Sequence, residues 1–272
     1  MSLQIAQLTG RAVVRVTGPD ARPFLHNLLT QDVETLAPGV LRYGALLSPP
    51  GRMLMDLFLL GLEDGVLLDV PADRREALIQ RLGLYKLRAK VEVAASDEAV
   101  FAAWGGEADG FIPDPRLSAL GGRAYGGEPA PTASEDDYAS HRLALGVPDP
   151  ARDAPDDKTY PIEANLDLLN GVDFRKGCFV GQETTSRMKR RGTIKSRMLP
   201  IAFDGPPPPF GAEVLNGELR AGQVLNGELR AGQVLSGRDG VAMALMRLDR
   251  MDGALTVDGR PVTARPPGWL PG

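Results

Sequence analysis

Apolar and polar residues alternate from Ala12 to Thr17 and stop at Gly18-Pro19-Asp20, the pattern of a half-buried strand closed by a turn. Phe24, Leu25, Leu28 and Leu29 then recur at helical spacing, and the polar and breaker residues from Asp32 to Gly39 predict the loop that ends this helix. Two apolar runs, Met53 to Leu62 and Val66 to Val70, flank Glu63-Asp64-Gly65, which predicts a hairpin with Gly65 at a position of positive φ. Over Ala72 to Leu84 a second helix puts Leu78, Ile79 and Leu82 on one face and Arg74, Arg75, Glu76 and Arg81 on the other. Short strands follow at Lys90 to Ala94 and Ala99 to Trp104. A hairpin cannot belong to a strictly parallel βαβ series, so this order predicts an α+β fold with antiparallel sheets.

Gly105 to Pro131 is rich in Gly and Pro and reads as surface loop with some ordered pieces. Ser134 caps a helix whose first turn is Glu135-Asp136-Asp137, where the helix dipole favours acids; it carries Tyr138, His141 and Arg142 toward a stop at Gly146-Val147-Pro148. Pro148 to Pro161 reads as loop, and Pro206 to Pro209 as a stiff linker before an all-β tail. Asn216-Gly217 and Asn226-Gly227 are strong hairpin-turn signals there; Gly237 to Gly240 and Met251 to Gly253 are weaker ones. The expected division is 1–200, two interleaved α+β modules with an internal boundary near 95–110, and 201–272, a small β-barrel. VLNGELRAGQ occurs twice in tandem, at 214–223 and 224–233. Two copies are too few for a solenoid, so one copy is expected to serve the barrel and the other to hang outside it.

Composition narrows the function. One cysteine among 272 residues excludes an internal disulfide framework, and with only two histidines leaves no dedicated metal centre. No run of about 18 apolar residues is present, so no membrane partner is expected, and the single thiol fits a reducing compartment; a soluble, cytoplasmic monomer is the expectation. A net charge of −4 argues against general nucleic-acid binding. Locally the sign reverses: Arg187, Lys189, Arg190, Arg191, Lys195 and Arg197 contain no acid among them, and would attract a polyanion such as RNA unless they are a solvated helix end capped by Gly192.

Asn165 to Arg197 carries the candidate chemistry. Gly171, Gly177 and Gly181 punctuate it, and Cys178 follows Arg175 and Lys176. If Gly181 opens a helix through Glu183 to Lys189, the thiol lies just before a helix N-terminus, where free N–H groups and neighbouring cations favour thiolate. The alternatives are an inert buried thiol and a Cys178–His141 pair doing acyl-transfer chemistry.

Lys176-Gly177-Cys178-Phe179-Val180-Gly181-Gln182-Glu183 resembles the K-G-C-Y/F-x-G-Q-E signature of the YgfZ family, extended by Asn170 to Phe174 and Arg187 to Gly192. Phe24-Leu25 to Thr30-Gln31-Asp32-Val33 and Gly51-Arg52 to Asp56 also look like that family's pattern. The resemblance implies a fold like the glycine-cleavage T-protein, two α+β modules and a C-terminal β-barrel around a folate-binding hole. It further implies a tetrahydrofolate-type cofactor and a role supporting iron–sulfur proteins or their assembly machinery, tRNA-modifying enzymes included. On this reading Cys178 is the working thiol, with Lys176 and Asp56 as candidate catalytic groups. Tyr138, Arg142, Gly177, Gly181, Gln182, Glu183 and Arg187 are the candidate folate contacts. A second aromatic position of the folate site, near Arg11, is not aromatic here, and the T-protein's paired aspartates are reduced to Met55-Asp56, which argues against aminomethyl transfer. A folate-dependent aminomethyl or one-carbon transferase and an RNA-binding module are the rival readings.

Overall fold

The computed structural model describes residues 2–154, 157–192, 194–217, 219–220, 223–224 and 229–271. The chain opens with β1 (Gln4–Gln7), β2 (Arg11–Thr17) and the short helix α1 (Ala21–His26). A meander follows, β3 (Leu41–Leu47), β4 (Met53–Gly61) and β5 (Gly65–Pro71), then α2 (Arg75–Lys86) and β6 (Glu92–Ser96). β2 to β6 make one antiparallel sheet in the order β3-β4-β5-β2-β6. β7 (Val100–Trp104), β8 (Ile112–Pro113) and β9 (Gly122–Tyr125) join β1 in a second sheet, ordered β1-β7-β9-β8. The modules interleave because β1 pairs with β7 across the whole first sheet in sequence.

All seven residues of β5 are buried, so both faces of the first sheet are covered. Val14, Val16, Leu57, Leu59, Val66 and Leu68 pack under α1 and α2 on one face. On the other, Val13 and Leu67 meet the second sheet, and Tyr43 and Phe58 meet the barrel through Met198, Leu235 and Met243. Burial on both sides explains why β4 and β5 read as continuous apolar runs. The predicted hairpin between them forms, with Gly61 opposite Val66, but Gly65 does not take a positive φ. It is glycine because an added Cβ would lie 2.2 Å from the carbonyl oxygen of Val16.

α3 (Glu135–Ala144) has the expected start: Ser134 Oγ accepts from Asp137 N, and Asp137 Oδ2 accepts from Ser134 N. α4 (Pro150–Asp153) interrupts the predicted loop, and α5 (Gln182–Arg191) begins after Gly181 as expected. β10 (Ser196–Ala202) belongs to a closed barrel with β11 (Glu213–Gly217), β14 (Leu229–Arg238), β15 (Val241–Arg247), β16 (Ala254–Val257) and β17 (Arg260–Ala264); among the described residues β12 (Leu219–Arg220) and β13 (Gln223–Val224) pair with each other. The barrel therefore starts at Ser196, and the four prolines connect two of its strands rather than two domains.

Asn216-Gly217 is strand, not turn: Asn216 is buried and its Nδ2 donates to the carbonyls of Arg250 and Asp252. Asn226-Gly227 lies outside the described residues. Neither repeat copy serves the barrel whole. β11 takes Val214 to Gly217 from the first and pairs with Leu229 to Gln233 of the second, while 218, 221–222 and 225–228 lie outside the described residues.

Candidate functional site

Between the two sheets and α3 lies a narrow pocket, partly open to solvent, and its floor is charged. Asp69 of β5 is fully buried, and its carboxylate accepts from Arg11 Nε at 2.6 Å, Arg123 Nη1 at 2.7 Å and Tyr125 OH at 3.1 Å. Asp114 pairs with Arg116 at 2.8 Å, and Arg116 also donates to Tyr138 OH at 3.2 Å. The Arg123 guanidinium lies 3.7 Å from the centre of the Phe58 ring. Burial pushes the Asp56 carboxyl up from its ordinary range, and Arg11, which reaches both its oxygens at 3.2 Å, works against that shift. For Asp114 burial acts the same way but loses to Arg116 and Arg123, which hold its carboxyl low.

Tyr138 and Arg142 line the pocket from successive turns of α3, with Asp149 and Arg152 beyond them. Arg142 is buried; its Nη1 donates to the Val147 carbonyl and lies 3.8 Å from Asp153, while its Nε has no partner. A buried donor left unmet costs roughly 1–3 kcal/mol, so Arg142 Nε is an unmet donor within the pocket wall.

Cys178 sits elsewhere. Its loop is fastened by Thr30, whose Oγ1 donates to the Gly171 carbonyl at 2.7 Å, and by Asp173 N, which donates to the Thr30 carbonyl at 2.9 Å. Lys176 is buried and its Nζ donates to the carbonyls of His26 and Leu29 at the end of α1. Gly181 has φ 81°, and a Cβ there would lie 2.8 Å from Gly51 Cα and from the Ser48 carbonyl oxygen, so the start of α5 rests on the turn that leads into β4. These ties leave Gly177 and Cys178 exposed.

The structure thus brings together Asp56, Tyr138 and Arg142 but keeps Lys176, Gly177, Cys178, Gly181, Gln182, Glu183 and Arg187 out of the pocket lining. Of the expected folate contacts in the signature, Gly181 instead packs on Gly51, Gly177 is open to solvent, and Glu183 and Arg187 are exposed on α5. Lys176 is an anchor for the loop. His141 is not a partner for the thiol: its ring stacks on Trp104 at 5.6 Å and its Nε2 donates to the Ala119 carbonyl at 2.9 Å. The basic run is also broken, because Arg197 is buried against Asp167, Asn165 and the Ile162 carbonyl, and Lys189 pairs with Asp167 at 3.1 Å. That removes the continuous stripe an RNA-binding module needs.

Sequence reasoning missed Asp69, Asp114, Arg116 and Arg123. One signal was present: Asp69 is a lone charge inside the apolar run Gly65 to Val70, and a buried charge demands a partner.

Burial lowers the Lys176 amine from 10.5 to about 8. Between those values the unfolded chain holds a proton that the folded chain has released, so stability should rise with pH across that window. The gain expected is roughly 2 kcal/mol over a Lys176→Met variant, read from urea unfolding on either side of the window; parallel pH profiles for the two proteins would refute it.

The profile of the CAF17 C-terminal β-barrel domain matches residues 195–272, the barrel from its first strand onward. The glycine cleavage system aminomethyltransferase T from Bartonella henselae superposes with a TM-score of 0.77 at 18% identity, covering 98% of this chain and 86% of that one. This bears out the expected T-protein-like fold. The mitochondrial iron–sulfur cluster assembly factor IBA57 of Homo sapiens is 34% identical over 97% of this chain and 85% of its own length; that of Mus musculus is 32% identical with the same coverage. Both are mitochondrial proteins, which overturns the cytoplasmic placement expected above. Likeness at this level over nearly the whole chain decides the family: the chain belongs to the IBA57 family of iron–sulfur cluster assembly factors.

Proposed function

We propose that this protein assists iron–sulfur cluster assembly by offering Cys178 to a partner protein while the pocket beside Arg142 holds a reduced folate. Family membership supports the assembly role, and the exposed, firmly tethered thiol is the observation that carries the mechanism. One cysteine cannot hold a cluster whose sites ordinarily use four thiolates, so the remaining ligands come from elsewhere. The resemblance of Lys176 to Glu183 to the YgfZ signature extends the clients to tRNA-modifying iron–sulfur enzymes.

The pocket's chemistry suits a pterin. The carboxylates of Asp56 and Asp149 can accept from an amino-pyrimidine edge, the Arg142 guanidinium brings positive charge to the wall, and Tyr138 supplies flat apolar surface. A bound tetrahydrofolate supplies amine nitrogens able to carry a one-carbon unit. Asp56, however, is engaged through both oxygens by Arg11. Met55, the position of the lost acid, faces the α1 and α2 core on the opposite side of the sheet. Neither residue is placed to take a proton from a folate nitrogen, which favours binding over aminomethyl transfer.

Calorimetric titration of tetrahydrofolate tests this. Wild type and Cys178→Ala should bind alike, and Arg142→Ala, which removes a cation from the pocket wall, should bind about tenfold more weakly. No binding by wild type would overturn the folate reading and leave the assembly role standing.

A further inference from the structure

Leu84 and Leu87, 79% and 89% exposed, are the most exposed large apolar side chains among the described residues, and both lie at the end of α2. Leu87 has φ 42° and ψ −105°, and Ala89 N donates to the Lys86 carbonyl at 2.7 Å. That is the first central position of a type II′ turn, where glycine belongs. Glycine would make the same turn without the clash of a Cβ, so the fold does not explain a leucine here. Ala77 to Val91 also holds four cations, Arg81, Lys86, Arg88 and Lys90, and no acid. Among the described residues none of the four is in an ion pair.

The tip is tied to the same short helix as the cysteine loop. Lys90 N donates to Asp20 Oδ2 at 2.7 Å just before α1, and Lys176 holds the carbonyls at its far end. Six helical residues span about 9 Å, and Pro23 and Asn27 are exposed between the two attachments. At the other end Phe174, Arg175 and Cys178 are exposed. A standard protein interface covers about 800 Å2 on each partner, a patch roughly 30 Å across, about three times the length of α1.

We infer that Leu84 to Lys90 is a docking tip for an acidic protein, the thiol-bearing partner that meets Cys178, with carboxylates opposite Arg81, Arg88 and Lys90 and an apolar groove receiving Leu84 and Leu87. The inference rests on Cys178 being offered to such a partner. Cations alone would suit a nucleic acid, but two leucines at the tip gain nothing from phosphates. A lipid surface would accept the leucines and bring no ligand to the thiol.

The test titrates the full chain against a purified, acidic apo iron–sulfur carrier protein bearing a thiol pair. Leu84→Asp and Leu87→Gly should each weaken binding about tenfold, and wild-type affinity should fall with salt. Leu87→Gly should also melt about 2 °C higher, because the turn is relieved, which separates lost docking from lost folding. Cys178→Ser should dock within about threefold of wild type before cluster is added, then fail to retain cluster in the complex. Tip variants that bind like wild type overturn the docking surface; if Cys178→Ser alone loses binding, the thiol reading survives that failure. Normal cluster retention by Cys178→Ser would sink the thiol reading and leave the tip standing. A wild type that ignores the carrier, or that sediments with phosphatidylglycerol vesicles through Leu87, overturns the tip as a protein-docking surface.

Discussion

Asp69→Ala should lower the stability of the folded chain by about 4 kcal/mol, the largest loss expected from any single substitution at the pocket. The carboxylate is wholly inside, and it answers guanidinium groups from two different sheets, Arg11 of β2 and Arg123 of β9, besides the Tyr125 hydroxyl. Removing it leaves two guanidinium groups under-paired at the pocket floor: of carboxylates, Arg11 keeps Asp56 at 3.2 Å and Arg123 keeps Asp114 at 3.4 Å. For a chain of this size that amounts to a fall of about 10 °C in melting temperature. Asp69→Ala combined with Arg123→Met should recover part of the loss, since the second change takes away one of the under-paired charges. A drop below about 1 kcal/mol in the single variant would show that the three groups find solvent or each other without Asp69.

Cys178→Ala should act in the opposite way, leaving the fold untouched and abolishing function. An exposed side chain with no structural role contributes within about 0.5 kcal/mol, so the melting temperature should be that of wild type. In cells lacking the native gene, the variant should restore iron–sulfur enzyme activity no better than an empty vector, whereas wild type restores it. Full rescue by the alanine variant would take the thiol out of the mechanism. Lys176→Ala offers the intermediate case: it leaves the thiol in place but cuts the loop from the end of α1, so partial rescue is the expected phenotype.

Much of this architecture can be read in the linear chain where a local rule carries the information. The Ser134 cap with Asp137, the hairpin around Glu63 to Gly65 and the start of α5 after Gly181 each depend on a few adjacent residues, and each forms. β3 is invisible to period counting because most of its residues are buried on both sides of the sheet, so no alternation shows. Asp258-Gly259, a two-residue hairpin turn with φ of 50° and 76°, carries a legible local signal. Asn216-Gly217 carried the same kind of signal and misleads, because the asparagine amide answers carbonyls more than thirty residues away.

The site divides along the same line. Cys178 and its glycines are contiguous and stand out; the charged floor is assembled from β2, β5, β9 and the loop at Asp114, and no local pattern announces it. Distance in space was the harder quantity. The resemblance to the YgfZ family set Cys178 and Tyr138 at one site, yet the thiol is absent from the pocket that Tyr138 lines. What links them is mechanical: α5 rests on Gly51, and the strand that leaves this turn carries Asp56 to the pocket.

Because β11 is drawn from the first decapeptide and β14 from the second, the surplus ten residues fall entirely within one connection between neighbouring staves of the barrel. Lengthening such a connection is cheap, about 0.6 kcal/mol for each doubling. The barrel thereby advertises a port where foreign sequence, a tag or a reporter, can be spliced at little thermodynamic penalty.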